Sequence, residues 1–179
     1  MNKKVWTAVV GLFLLYGCGS MARYGSTQER ETVYGKNPPV ITEAYASPTA
    51  RPGNTWKVYL KANDPNGDMK AIFSVIEQPG VGNYSPSITR IKSDDRKEMN
   101  GYLFLNTAGQ REILHLINIT LRVEIQDMAG HFSAPVFFPL SFNNTYSQQP
   151  PPPGVFQAHE LGPIMIQLRT TGDGETREH

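Results

Sequence analysis

Apolar side chains recur at every second residue in two stretches of the chain, and this spacing limits the possible folds more than any other feature. The stretches are TWKVYLKA (55–62) and ITLRVEIQ (119–126). Successive side chains of a β-strand point to opposite faces, so a period of two is typical of a strand with one buried face. Both stretches are therefore predicted to be half-buried strands.

Five more segments complete the predicted set of strands. VFFPLSF (136–142) alternates in the same way, and Pro135 and Pro139 confine it to a sheet edge, because proline cannot donate to a neighbouring strand. Less regular strands are predicted over 40–47, 69–77, 87–92 and 99–106, with turn sequences such as RPGN and DPNGD between strands. Seven short strands in one block predict an all-β fold: a single seven-stranded antiparallel β-sandwich of immunoglobulin type over 40–142.

The N-terminus has the organisation of an export signal. Lys3 and Lys4 precede an uncharged run over 5–17 and then Cys18, the only cysteine in the 179 residues. As a helix the uncharged run would be roughly 20 Å long, shorter than the ~30 Å hydrocarbon core of a bilayer. Residues 1–17 are therefore predicted to be a signal peptide and not a membrane-spanning helix.

The residues that end this run, LYGC (15–18), resemble the lipobox of bacterial lipoproteins: an aliphatic residue, a small residue and then the cysteine. The resemblance implies cleavage after Gly17, diacylglycerol on the Cys18 sulfur, and a further acyl chain such as palmitate on the new amino terminus. Each buried CH₂ contributes ~0.8 kcal/mol, so two or three chains hold a protein in a membrane almost permanently. Gly19 after the cysteine implies transfer to the outer membrane. The expected partner of Cys18 is membrane lipid of a bacterial cell envelope; the alternative is a free thiol.

The regions on either side of the strand block differ from it. Residues 18–39 are polar and are predicted to be a flexible tether between lipid and domain. Residues 143–154 are predicted to be a linker, in which four prolines form a stiff polyproline II rod. Residues 155–179 contain a possible eighth strand, with Ile164, Ile166 and Leu168 alternating, before a polar, disordered tail. That strand either folds back onto its own sheet, which we favour, or pairs with another chain.

The segment ANDPNGD (62–68) contains the A-x-D-P-x-G-D turn that recurs in bacterial immunoglobulin-like and cadherin-like surface domains. Residues 58–76 around it resemble the B–C hairpin of those domains, and residues 123–142 look like the matching F–G pair. The resemblance implies that the B–C and F–G loops share one pole of the sandwich.

Oxygen-bearing side chains in these two loops form a candidate calcium site, because calcium takes six to eight oxygen ligands. The candidate ligands are Asp64, Asn66, Asp68 and Asp127. The simpler interpretation, which we favour, is that these residues make Asx turns, with Gly67 and Gly130 in left-handed conformations.

The other chemistry-bearing residues do not form a recognisable site. The four histidines lack zinc-ligand spacing: His115, His131, His159 and His179. No nucleophile signature is present, and the Gly80–Gly82 pair lacks the strand–loop–helix context of a phosphate site. Loss of Lys3 and Lys4 with the signal peptide lowers the formal charge from +1 to −1, which argues against nucleic-acid binding.

We expect, on these grounds, a non-catalytic structural or protein-interaction module that needs no cofactor and docks onto another envelope protein. The alternative is a surface module that binds calcium or a glycan at the B–C/F–G pole. An enzyme is the least favoured interpretation.

Overall fold

Ten β-strands and one short α-helix make up the computed structural model, which describes residues 25–110, 114, 116–145 and 147–169. The predicted signal peptide, Cys18 and the residues beyond 169 lie outside these ranges. In chain order the elements are α1 (Thr27–Tyr34), β1 (Val40–Ala46), β2 (Thr49–Ala50), β3 (Thr55–Asn63), β4 (Met69–Gln78), β5 (Gly82–Asn83), β6 (Ser87–Arg90), β7 (Glu98–Asn106), β8 (Asn118–Asp127), β9 (Val136–Phe142) and β10 (Glu160–Pro163). Short 3₁₀ turns at Ser93–Asp95 and Ala108–Gln110 flank β7.

The strands form two sheets around one core. Four strands make one sheet, in the order β1–β3–β7–β10, and six make the other, in the order β2–β9–β8–β4–β5 with β6 also beside β4. Inward-facing apolar residues of β3 and β8 fill the core. Those without any exposed surface are Trp56, Val58, Leu60, Leu121, Val123 and Ile125. The indole N–H of Trp56 donates to the Ser47 carbonyl at 2.8 Å, which satisfies the one polar group of that ring.

The structure confirms the predicted all-β sandwich and has a strand in each of the seven predicted segments, but it corrects two details. The described strands number ten, and two of the pairings are parallel instead of antiparallel: β2 with β9, and β10 with β7. The first arises because the chain leaves the four-stranded sheet after Ala46 and crosses to the other sheet. There the carbonyls of Pro48 and Ala50 accept from the N–H groups of Ser141 and Asn143.

The predicted edge position of β9 holds over most of its length. β9 pairs with β8 along residues 136–141, whereas β2 reaches only its last two residues. Pro139 therefore lies where β9 has a neighbouring strand on one side only.

The proline-rich segment crosses the outer face of the four-stranded sheet, so the segment predicted to be a linker is held against the domain. The Gln149 carbonyl accepts from the Tyr45 hydroxyl at 3.3 Å. On the other side of the prolines, the ring of Phe156 packs on Tyr59 with centroids 5.6 Å apart. Residues 147–159 are called the strap below. Contacts at both ends of the prolines hold the strap to the sheet.

After the strap the chain runs along the free edge of β7 and closes the gap between the two sheets. The Tyr102 N–H donates to the His159 carbonyl at 2.8 Å, and the Ile164 N–H donates to the Phe104 carbonyl at 2.7 Å. Residues 160–169 are called the closing segment. Its buried apolar residues are Leu161, Ile164 and Leu168. The chain folds back onto its own sheet, as the favoured alternative expects, but the strand is Glu160–Pro163. The alternating residues that predicted an eighth strand, Ile164, Ile166 and Leu168, follow β10 and are not in a strand.

Residues 27–34 form helix α1, so the predicted flexible tether over 18–39 is wrong for this part. The reason is a capping box: Ser26 Oγ accepts from the Glu29 N–H at 3.2 Å, and Glu29 Oε2 accepts from the Ser26 N–H at 2.7 Å. No residue of α1 is buried. Within the described ranges, no helix has the length and apolar character needed to cross a bilayer.

Candidate functional site

Three of the four candidate ligands come together at one pole of the sandwich. Asp64 directly follows β3, Asp68 directly precedes β4, and Asp127 ends β8, which pairs with β4. Each offers a carboxylate oxygen, and these oxygens lie within 4.8 Å of one another. The three residues are 2%, 8% and 0% exposed. They are called the aspartate cluster below.

Asn66, the fourth candidate, does not join the cluster in the contacts that the structure shows. Its side chain is exposed, and its Nδ2 donates to the Asn37 carbonyl at 3.2 Å. The same side chain packs against Gly35, where φ is +98° and a Cβ would collide with it. Asn66 therefore attaches the segment between α1 and β1 to the turn.

The aspartates also build the turns that carry them, as the simpler interpretation expects. Oδ1 of Asp64 accepts from the N–H groups of Asn66 at 2.7 Å and Gly67 at 3.1 Å. Oδ1 of Asp127 accepts from the N–H groups of Gly130 at 2.6 Å and His131 at 2.8 Å. Both glycines have positive φ, +74° and +101°. The turns use only one oxygen of each carboxylate, so turn formation and ion binding do not exclude each other.

The aspartate cluster carries more negative charge than its neighbours neutralise. Nδ1 of His131 lies 2.9 Å from Oδ2 of Asp127, and no lysine or arginine in the described residues forms an ion pair with any of the three aspartates. Oδ2 of Asp68 accepts from the Met128 N–H at 3.2 Å, but Oδ2 of Asp64 and Oδ1 of Asp68 are buried without a hydrogen-bond partner. Burial first, and then the charges of Asp64 and Asp127, raise the pKa of Asp68. The cluster therefore favours uptake of positive charge, as a proton or a cation.

His131 connects the cluster to helix α1. Its Nε2 lies 3.0 Å from Oε1 of Glu31, and Arg30 of the same helix donates from Nε to the Ala129 carbonyl at 2.7 Å. Hydrogen bonds to Glu31 and then to Asp127 raise the pKa of His131. Nothing in the spacing of these residues predicts this contact, although the S-x-x-E pattern at 26–29 is a usable signal for a helix start.

Replacing Glu31 by Gln should weaken the domain in a pH-dependent way. Because the folded-state pKa of His131 is raised, its contribution to stability is complete below the ordinary histidine value of 6.5 and is lost as pH rises through the folded-state pKa. Thermal melts should show Glu31→Gln about 2–4 °C below the unsubstituted protein at pH values under 6.5, for a loss of ~1 kcal/mol, with the difference shrinking at alkaline pH. Glu43→Gln is the control, since Glu43 pairs with Lys61 and no histidine. An equal effect of Glu31→Gln at every pH would show that His131 is not involved.

The remaining candidate residues lie elsewhere. His159 Nε2 is 3.1 Å from Oδ2 of Asp95, far along the chain from His131 and with a different acidic partner. His115, His179 and Cys18 lie outside the described residues. Gly80 lies in the hairpin turn between β4 and β5, Gly82 is the first residue of β5, and both have positive φ.

A second feature is an apolar surface on the outer face of the six-stranded sheet. Three large side chains there are substantially exposed: Ile88 at 57%, Phe132 at 44% and Phe137 at 58%. Phe73, opposite Ile88 in the register, packs edge-to-face on Phe132 with centroids 5.2 Å apart. Beside them Arg122, opposite Phe137, forms an ion pair with Glu124 at 3.5 Å. This surface is called the open face, because the strap crosses the outer face of the other sheet.

Comparison with known proteins does not assign the chain to a family. No protein-family profile matches the chain, and no curated protein matches it. A solved structure that resembles it is the PKD domain of an M14-like peptidase from Thermoplasmatales archaeon SCGC AB-540-F20, with 17% sequence identity and a TM-score of 0.37. That match covers 60% of this chain and 99% of the solved one. A likeness this distant carries nothing about function.

Proposed function

We propose that this protein is a lipid-anchored, non-catalytic module of the bacterial cell envelope that binds another envelope protein through its open face. The β-sandwich itself is observed. The anchor at Cys18 and the placement in the outer membrane come from the resemblance of residues 15–18 to a lipobox and from Gly19.

The observation that carries the interaction role is the difference between the two outer faces of the sandwich. The chain covers part of one face with its own strap, held by Gln149 and Phe156. On the other face it leaves Ile88, Phe132 and Phe137 between two-fifths and three-fifths exposed. Phe137 lies on one side of β8 and Ile88 on the other, with the charged pair of β8 between them. Large apolar side chains left exposed on one sheet face are typical of protein-binding surfaces. The partner surface we expect has apolar groups on two sides, which contact Phe137 and Ile88, and charges between them that complement Arg122 and Glu124.

The polar groups at the pole support a structural role more than a catalytic one. The three aspartates hold the two turns, and His131 is shared between Asp127 and Glu31 of α1. A sugar ligand needs hydrogen-bonding groups that it can reach, and carboxylates less than a tenth exposed do not offer them. The glycan alternative therefore has no support in the geometry of the pole, whereas an ion needs no such access.

Site-specific photocrosslinking in intact cells tests the interaction role. A photoreactive phenylalanine analogue at position 137 should give a discrete adduct with one envelope protein. The matched control is the same analogue at Met165, which is 77% exposed and belongs to the closing segment beside Ser87 instead of the open face. Ile88→Lys should abolish the adduct at 137, because the charge lies on the same face opposite Phe73. Equal labelling from 137 and 165, or none from 137, would contradict the role proposed for the open face.

A further inference from the structure

We propose that the aspartate cluster of Asp64, Asp68 and Asp127 binds one calcium ion. This goes beyond the proposed interaction role and does not depend on it. The site would be structural: it would tie the turn between β3 and β4 to the turn between β8 and β9.

The first support for a calcium ion is the negative charge of the aspartate cluster. The three carboxylates lie within 4.8 Å of one another and are nearly or completely buried. The only cationic partner that the described residues supply is His131, which is already shared with Glu31. Like charges at this separation in a buried site repel strongly, and buried charges in proteins are paired or coordinate metals. The cluster thus needs positive charge that the described neighbours do not provide.

Unpartnered oxygens are the second and independent support. Asp64 is 98% buried and Asp68 is 92% buried, yet Oδ2 of the first and Oδ1 of the second have no hydrogen-bond partner. Buried polar atoms without partners are rare and require an explanation such as a bound ion. The other oxygen of each carboxylate is fixed by backbone N–H groups, from Asn66 and Gly67 in one case and Met128 in the other. Both carboxylates are therefore held in place before an ion arrives.

The ligand atoms of the aspartate cluster determine which kind of ion it can bind. The cluster offers carboxylate oxygens, and Nδ1 of His131 is engaged by Asp127. Oxygen donors favour hard cations over zinc or copper. Between the two common hard cations, calcium accepts several protein oxygens in irregular geometry, whereas magnesium demands a near-ideal octahedron and keeps several waters. A buried cluster built from two separate turns fits calcium better.

One competing explanation is a proton shared between Asp64 and Asp68, which would neutralise part of the charge without an ion. Another is Arg96, whose Nε is also buried without a partner and whose carbonyl accepts from the Met69 N–H beside Asp68. Both explanations predict that added calcium changes nothing.

The test uses the full chain, extracted from membranes in detergent and stripped with EDTA. Isothermal titration with CaCl₂ should show one site per chain, and the melting temperature should rise by about 5–10 °C at a 100-fold excess over Kd. MgCl₂ at the same ionic strength should give a much smaller rise. Asp68→Asn should fold, because it resembles the protonated carboxyl, but should lose the calcium response. Asp94→Asn removes an exposed carboxylate outside the cluster and should respond like the unsubstituted protein.

Two results would overturn the proposal. In the first, calcium has no effect and Asp68→Asn is more stable than the unsubstituted protein. That result would show that a shared proton neutralises the negative charge of the cluster. The second is a calcium response that survives both Asp68→Asn and Asp64→Asn, which would place the ion elsewhere.

Discussion

A chain that ends at Gly154 is expected to lose most of the stability of the sandwich. The truncation removes Leu161, Ile164 and Leu168, which are 8%, 3% and 2% exposed. Burial of a side chain of this kind contributes about 1.5–3 kcal/mol, so the loss of three is about 4.5–9 kcal/mol, comparable to the total stability of many domains. It also leaves three buried polar side chains of the six-stranded sheet without the backbone groups that they now bond: Gln78, Ser87 and Thr89. Chemical denaturation followed by circular dichroism should show a molecule that is unfolded or barely folded.

Two matched comparisons distinguish the stability that the closing segment contributes from any contribution of residues 170–179. A chain that ends at Arg169 keeps every contact described here and should unfold like the full-length protein. Within the segment, Ile164→Ala should cost about 2–5 kcal/mol, whereas Met165→Ala, at a neighbour that is 77% exposed, should change stability by less than about 0.5 kcal/mol. If the chain ending at Gly154 unfolds at the same denaturant concentration as the full-length protein, the closing segment is not part of the fold and the alternative of pairing with another chain regains its support.

Replacing the leader and Cys18 together is expected to release the protein from the membrane completely. The proposed change is an ordinary cleavable export signal in place of residues 1–17, combined with Cys18→Ala. A single acyl chain binds a bilayer with an association constant of about 10⁴ M⁻¹, and additional chains multiply this value, so the loss of all chains is an all-or-none effect. Cell fractionation should move the protein from the membrane pellet to the soluble periplasmic fraction.

The matched control keeps the native leader and carries Ser20→Ala, which leaves the lipobox intact and should stay in the membrane pellet. Retention of the leader-exchanged protein in the pellet would mean that something other than acyl chains holds it there, and the open face is then the surface to examine.

The core of the fold was predictable because it depends on a local rule. In β3 and β8 the inward positions are apolar except the last one of β8, which is Asp127, and the strands lie where the two-residue period puts them. The convergence of Asp64, Asp68 and Asp127 followed from the resemblance of the two turns to known hairpins, and did not require knowledge of side-chain packing. The position of Asn66 was not predictable in this way, because the alternation of oxygen-bearing residues in the turn does not reveal that its amide donates to the Asn37 carbonyl.

The features that were not predicted depend on contacts between distant parts of the chain. Four prolines indicate a stiff rod in isolation, and they do not reveal the contacts with distant residues, such as Tyr45 and Tyr59, that keep the strap on the sheet. Helix α1 has no buried residue, so no apolar period could reveal it. The open face did leave a trace in the sequence: Phe137 stands at an outward position of β9, where a half-buried strand normally has a polar residue.

The measurement that tests the central claim most directly is the intact mass of the protein extracted from bacterial membranes with detergent. A lipid-anchored envelope module predicts the mass of residues 18–179 plus one diacylglycerol group, with or without a further acyl chain on the amino terminus. The mass of an unmodified chain, whether it begins at Met1 or at Cys18, would contradict the claim.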